Sequence, residues 1–130
     1  MDVTPLVKEG AQIIQSYSGG GFRVSGQVYD AAVIVDPART DEWEYVRERG
    51  MSAARDLDEA AFAGIIARAG EVDVVLLGTG ARLEFPEAAL RMALKQRGLN
   101  VEVMDTGAAC RTYNVLMAEG RRVVVALLPA

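Results

Sequence analysis

The sequence predicts one α/β domain in which an N-terminal antiparallel β-meander joins a mixed central sheet with helices packed against it. Three observations favour this fold class. The length of 130 residues suits a single domain with a sizeable core. The first third contains short apolar segments separated by glycine turns. From residue 72 onward, apolar segments of strand length alternate with segments of helical periodicity.

The predicted meander has three strands joined by two tight turns. Glycine supplies the positive φ angles that such turns need, and Pro37 ends the third strand. The triple glycine could also cradle a phosphate, but neither a lysine nor a helix start follows it, which favours a hairpin turn. The strands are predicted at 11–17, 22–24 and 28–36, with turns at 18–21 and 25–26.

An acidic segment follows the meander. Residues 41–59 carry seven acids and three bases, so their net charge equals the −4 of the whole chain. Trp43 and Tyr45 alternate with charged residues, which predicts a half-buried strand, with a short helix as the alternative. A helix that ends at Gly70 is then predicted, capped by Asp56 or Asp58. Its apolar face comprises Leu57, Ala61, Phe62, Ile65 and Ile66.

The second half alternates strands and helices. Pro86 is predicted as the first residue of a helix that ends at Gly98. Thr106 is predicted as the N-cap of a helix that runs to about Glu119, with Gly120 as its C′ residue. The strands are predicted at 72–77, 99–104 and 123–128, and the last is expected to be central because it is apolar throughout.

The composition argues against several classes of function. A net charge of −4 disfavours a nucleic-acid-binding protein, which would neutralise many phosphates. The absence of histidine removes Ser–His and Cys–His dyads, imidazole metal ligands and the usual proton shuttle near neutral pH. Cys110, the single cysteine, is expected to be a small core residue because a thiolate nucleophile would lack its base. The sequence therefore predicts no catalytic residue, no metal site and no cofactor.

The sequence also bears on location. The segment from Met1 to Gly10 contains no apolar stretch of signal-peptide length and is not rich in arginine. The longest apolar runs, at 74–77 and 123–128, are far shorter than the roughly 20 residues needed to cross a bilayer. A soluble cytosolic protein, with no direct membrane insertion, is the expectation.

The loop Gly78-Thr79-Gly80 is the first candidate site, because it follows a predicted strand where open α/β sheets often place ligands. It lacks the third glycine of a dinucleotide fingerprint and the Gly-Lys-Ser/Thr of a Walker loop. Two interpretations stay open. The loop presents backbone N–H groups to an anion, or it is a turn that leaves a buried strand.

The second candidate lies on the last predicted helix. Thr106, Cys110 and Asn114 are spaced i, i+4, i+8 and share one face, with Arg111 beside them. Either Asn114 satisfies neighbouring backbone, or Asn114 and Arg111 line a pocket with the glycine loop. A third candidate is Glu119-Gly120-Arg121-Arg122, where an arginine could pair with a glutamate or bind an anion.

These residues carry a resemblance to a known family. The run VEVMDTGAACRTYNVL at 101–116, followed by Glu119-Gly120-Arg121, closely resembles the signature of the MTH-938-like domain family. The loop at 77–80, Pro86 and the closing VVALL at 124–128 fit the same pattern. The early hairpin fits as well, through Tyr17, Phe22, Val24 and Tyr29.

The resemblance implies a fold, a partner and a set of positions. The fold is α/β (α+β), a single three-layer domain over residues 1–130. Eukaryotic family members include a mitochondrial complex I assembly factor, which implies a non-enzymatic role with another protein as partner. The alternative is a binder or converter of a small anionic metabolite, and a homodimer stays open. The shared positions would cluster in one strand-end crevice and fall on Gly78, Thr79, Gly80, Thr106, Asn114, Glu119 and Arg121.

Overall fold

A computed structural model describes residues 10–130, and the targeting prediction for the first ten residues falls largely outside that range. The N-terminal part of the described chain forms a three-stranded antiparallel sheet in the order β1-β2-β3. The strands are β1 (Ile14–Ser18), β2 (Gly21–Val24) and β3 (Gln27–Tyr29). This sheet is the predicted meander.

Both meander turns have the backbone conformation that hairpins prefer. Gly19 and Gly20 have φ angles of 60° and 82°, and Ser25 and Gly26 have φ angles of 45° and 85°. Two successive positive φ angles match the right-handed twist of the flanking strands. The triple glycine therefore makes a hairpin turn, as the sequence favoured.

The prediction of one strand over 28–36 is wrong. The chain bends at Asp30 and Ala31, so β3 ends at Tyr29 and a separate strand, β4 (Val33–Val35), begins in a second sheet. The apolar pattern could not show this break, because side chains from both sheets pack into the same core. Val33 and Val35 pack in the same apolar cluster as Phe22 of the meander.

The second sheet is central and mixed. Its further strands are β5 (Thr40–Glu42), β6 (Val74–Thr79), β7 (Val101–Met104) and β8 (Val123–Leu128). The order is β5-β4-β8-β6-β7, with β6 parallel to β7 and β8, and with β4 antiparallel to β5 and β8. Every residue of β8 is buried, which confirms that the last strand is central.

Helices cover both faces of the central sheet. They are α1 (Glu44–Glu48), α2 (Ala63–Ile66), α3 (Ala88–Gln96) and α4 (Thr106–Ala118). Side chains from α1, α2 and α3 pack with alternate residues of β6 and β8 on one face. On the other face, α4 and the meander pack together against the intervening residues of the same strands. Three layers result, and the predicted α/β fold with its meander and mixed sheet is confirmed.

The strand β5 ends at Glu42, Trp43 is the N-cap of α1, and the chain is helical from Glu44, so the strand predicted over Trp43 and Tyr45 is wrong and the helical alternative is right. The indole N–H of Trp43 donates to the carbonyl of Ala61 at 2.8 Å, and its side chain is buried. Asp58 accepts the Ala61 N–H at 3.1 Å and is the cap. The predicted helix is divided into short pieces. The pieces are a 3-10 turn at Glu59–Phe62, α2, and a 3-10 turn at Ala69–Glu71.

One predicted helix boundary is wrong, and two are confirmed. Pro86 does not begin α3, because Glu87 has an extended ψ of 141° and the helix starts at Ala88. Gly98 and Gly120, with φ angles of 87° and 78°, follow the ends of α3 and α4 as predicted. Within residues 10–130, no helix is long and apolar enough to span a membrane.

Candidate functional site

The glycine loop lies at the carboxyl end of β6, where the chain packs too closely for a side chain. A Cβ atom added to Gly78 would lie 2.8 Å from the side chain of Leu127 and 3.0 Å from Thr106. Gly80 has a φ of +100°, and its Cβ would lie 3.2 Å from the carbonyl oxygen of Pro129. The glycines at 78 and 80 are therefore required by packing and by backbone conformation.

Thr106 joins this loop to the central strand. Its buried hydroxyl donates to the carbonyl of Leu128 at 2.6 Å and accepts the N–H of Gly80 at 2.9 Å. Thr106 is the first residue of α4 and not its N-cap, so the predicted cap is wrong. Asp105 is the cap, since its Oδ1 accepts the Ala108 N–H at 2.9 Å. Both residue types are good caps, and the tertiary partners of Thr106 decide between them.

Thr79 closes the same loop on itself. Its hydroxyl donates to the carbonyl of Arg82 at 2.7 Å and accepts the N–H of Glu84 at 3.0 Å. The N–H of Gly80 is already bonded to Thr106. The N–H groups of Gly80 and Glu84, two backbone donors near this loop, are therefore bonded within the protein and are not free to bind an anion.

Asn114 binds the backbone of the meander. Its Oδ1 accepts the N–H of Ile14 at 3.0 Å, and its Nδ2 donates to the Ile14 carbonyl at 2.8 Å. Tyr113, the preceding residue, donates its hydroxyl to the Gln12 carbonyl at 2.8 Å. Arg111 donates to the hydroxyl of Tyr17 at 3.2 Å. The polar face of α4 therefore attaches the meander to the rest of the protein.

Glu119 and Arg121 lie at the opposite end of the central strands, where β8 begins. The 13 residues of α4 span about 20 Å from Thr106 to its last turn. The register of β6 and β8 places the start of β8 beside Val74 and its end beside Thr79. Arg121, which precedes β8, is thus remote from the glycine loop.

The expectation of one strand-end crevice is therefore wrong. The structure brings Gly78, Gly80 and Thr106 together, but it directs Asn114 and Arg111 to the meander. Linear spacing along α4 could not show this, because the partners of Asn114 and Arg111 are Ile14 and Tyr17, which lie far away in the sequence. No arrangement in the described chain favours the small-anion alternative.

Arg121 lines a groove of about 540 Å³ between the start of β8 and the loop that follows β4. Two ion pairs lie at or beside this groove. Asp36 accepts from Arg68 at 2.8 Å, and Arg122 donates to Asp73 at 2.8 Å. The Arg122 guanidinium holds the pKa of Asp73 below its ordinary value. The paired carboxylates offset the positive charge that an anion site would need.

Cys110 is a core residue on the inner face of α4. It is buried, and its desolvation raises the pKa of the thiol from 9.0 to about 12. The thiol is therefore neutral near pH 7 and is a poor nucleophile. Within residues 10–130, no cluster of acidic or cysteine side chains is arranged to hold a metal ion.

Sequence reasoning missed an apolar surface near α3. Leu83 and Phe85 are each 53% exposed, and Met92 is 63% exposed. The Arg91 guanidinium lies 5.0 Å from the Phe85 ring centroid. One signal in the sequence could have indicated this surface. Met92 does not share the buried face of α3, which consists of Leu90 and Leu94.

Solved structures identify the class of protein that this fold defines. A crystal structure of a protein from Bordetella parapertussis matches with a TM-score of 0.78 and 34% identity, covering 93% of this chain and 98% of that chain. A solution structure from Bordetella pertussis, described as a Mth938-like domain, matches with a TM-score of 0.75 and 28% identity. That match covers 99% of this chain and 92% of the other. The molecule is a Mth938-like α/β domain.

The family follows from the sequence comparison. Residues 14–128 match the DUF498/DUF598 model, described as a protein of unknown function, and the chain belongs to that family. An uncharacterised protein of Rhodobacter capsulatus is 36% identical over 120 residues, which are 92% of this chain and 86% of that protein. Human NADH dehydrogenase [ubiquinone] 1 alpha subcomplex assembly factor 3 is 32% identical over 129 residues, 98% of this chain. The chain spans 67% of that human relative's length, and 61% of the bovine one's.

The Thr106→Val variant tests the buried hydroxyl. Valine has nearly the same shape but leaves the Gly80 N–H and the Leu128 carbonyl without their partner. We expect the free energy of unfolding, measured with denaturant, to fall by about 2–4 kcal/mol. Thr106→Ser keeps both hydrogen bonds and should lose about 1 kcal/mol, for the buried methyl group. Equal losses in the two variants would contradict a role for the hydroxyl.

The Asn114→Ala variant tests the attachment of the meander. Ile14 would lose the partners of both its backbone groups, so we expect the free energy of unfolding to fall by about 1–3 kcal/mol. Gln96→Ala, at an exposed position of α3, is the control and should change it by less than about 0.5 kcal/mol. An Asn114→Ala protein as stable as this control would show that Asn114 faces a solvated pocket instead.

Cys110 provides a pH-dependent test. Its folded pKa is raised to about 12, so its contribution to stability is complete below the unfolded value near 9.0 and is lost as pH rises toward 12. Cys110→Ala should therefore lose less stability than the native chain over that range, in matched denaturant titrations. At pH 8, iodoacetamide should label the native thiol only after unfolding, and rapid labelling of the folded protein would contradict its burial.

Proposed function

We propose that the protein is a protein-binding assembly factor, without catalytic activity, for a membrane-associated respiratory complex of the NADH dehydrogenase type. The observation that carries this proposal is the similarity to the human assembly factor, which extends over 98% of this chain. In this proposal the protein acts in the bacterial cytoplasm and recognises another protein.

The chemistry of the described residues supports a role that is not catalytic. Thr79, Thr106 and Asn114 have the functional groups that could orient a substrate, but their hydrogen bonds connect loops and sheets of the protein itself. Cys110 is buried as a neutral thiol. A nucleophile, a base and an orienting group are therefore not assembled together in residues 10–130.

The outer surface supports recognition of a protein. Phe85 and Met92 expose more than half of their area, and Arg91 lies beside Phe85. Aromatic side chains, methionine and arginine are enriched in protein interfaces. The surface near α3 thus has the composition of an interface.

The experiment is deletion of the gene in its native organism. Membranes are resolved by native electrophoresis and stained for NADH dehydrogenase activity. We expect less of the complete complex and more of its partial assemblies, because the factor acts before the subunits are joined. Expression of the wild-type chain should restore the complex, and succinate oxidation in the same membranes is the control.

Two results would overturn the proposal. One is a deletion strain with the complete complex and the NADH oxidation rate both at wild-type levels. The other is an equal loss of NADH and succinate oxidation, which would indicate a general defect of the membrane instead of a defect in assembling one complex.

A further inference from the structure

The outer side of β7 is an open edge of the central sheet. Within residues 10–130, β7 pairs with β6 and with no other strand. The N–H of Val75 donates to the carbonyl of Asn100 at 2.8 Å. Because peptide groups alternate in direction along a strand, the backbone N–H and carbonyl groups of residues 100, 102 and 104 point toward β6. The backbone groups of Val101 and Val103 therefore point outward, where an added strand could pair with them.

A groove runs beside this edge, between β7 and α3. Its volume is about 560 Å³. Val101 and Val103 line it from the strand and are half-buried. From α3 it is lined by residues spaced i, i+3, i+4 and i+7, which form one helix face. These residues are Ala88, Arg91, Met92 and Lys95.

The opposite edge of the sheet differs from β7. There β5 has three residues, and charged pairs flank it. Arg39 donates to Asp41 at 2.7 Å, and Arg47 pairs with Glu42. Short length and exposed charge are devices by which proteins prevent pairing at a sheet edge. The β7 edge has Val101 and Val103 facing a groove, and its exposed Glu102 lies on the opposite face of the strand, so β7 is the edge better suited to accept a strand.

The charge of the groove indicates which kind of strand would fit. Within the described residues, Arg91 and Lys95 form no ion pair with a carboxylate. An added strand that places acidic side chains beside them would complement this charge. A second copy of the chain fits poorly. Two-fold pairing of β7 strands would place both α3 helices on one face and bring their positive charges together.

We propose that β7 binds an extended segment of another protein as an added strand whose α3-facing side carries both apolar side chains, which enter the α3–β7 groove, and acidic side chains, which lie beside Arg91 and Lys95. Backbone hydrogen bonds would supply affinity, and the groove would select alternate side chains. The identification of the partner as a component of respiratory assembly depends on the proposed function, whereas the binding surface itself does not.

The first test uses a synthetic octapeptide, Val-Thr-Glu-Thr-Val-Thr-Glu-Thr, in which valine and glutamate share one face of the strand. It is titrated into the isotope-labelled protein and followed by NMR. We expect amide shifts confined to β7 and α3, and slower hydrogen exchange at Val101 and Val103. The same peptide with lysine in place of glutamate should bind at least ten-fold more weakly, because its charges would face Arg91 and Lys95. The absence of shifts at millimolar peptide, or shifts centred elsewhere, would overturn the proposal. A dimer that protects the same amides without peptide would assign the edge to a second copy and also overturn it.

The second test uses variants with matched controls. Val103→Pro removes an outward N–H while leaving the bonds to β6, so it should reduce peptide affinity at least ten-fold. Met92→Ser and Lys95→Gln should each weaken binding several-fold, and they keep the test valid if the proline variant fails to fold. Val115→Ser and Arg23→Gln change an exposed apolar residue and a charge outside the groove. Equal weakening by the controls would overturn the proposal.

A third comparison separates this surface from the assembly role. The Met92→Ser, Lys95→Gln double variant is expressed in the deletion strain. If deletion impairs assembly and the double variant restores it fully, the proposed binding surface at β7 and α3 is wrong, and the proposed assembly role is supported. If deletion has no effect but the peptide binds at β7, the proposed assembly role is wrong, and the proposed binding surface at β7 is supported. We expect impaired assembly that the double variant fails to restore.

Discussion

The attachment of α4 to both sheets is the constraint on which the rest of the structure depends. The hydroxyl of Thr106 links the loop after β6 to the end of β8, and eight residues later Asn114 holds Ile14 of the meander. Residues at this spacing share one face of a helix. Rotation of α4 would therefore break both attachments at once, and the helix orientation determines where the meander packs on the central sheet.

This constraint affects how the polar residues should be interpreted. Thr79, Thr106 and Asn114 resemble a ligand site in the sequence, but in the fold each satisfies backbone groups that burial would otherwise leave unpaired. An open sheet edge and a groove lie outside this network, at the outer side of β7 and along α3. Internal polar groups thus stabilise the fold, while the outer edge offers both backbone groups and apolar area for recognition.

Local signals explain the parts of the fold that could be predicted. The glycine turns, the buried strand β8 and the glycines after α3 and α4 depend on backbone conformation or on burial of a short segment. The errors have a different origin. The bend after Tyr29 and the position of Asn114 depend on contacts with residues far along the chain. Neither apolar periodicity nor residue spacing contains that information.

The sequence by itself determined the fold class, the meander with its turns, the alternation of strands and helices, and the family signature. These features follow from local conformational preference and from apolar pattern. Only the tertiary structure decided that Asp105 and not Thr106 caps α4, that the candidate residues separate into distant places, and which sheet edge stays open. The physical reason is that a hydroxyl or an amide has several possible partners, and only the packed chain selects one of them.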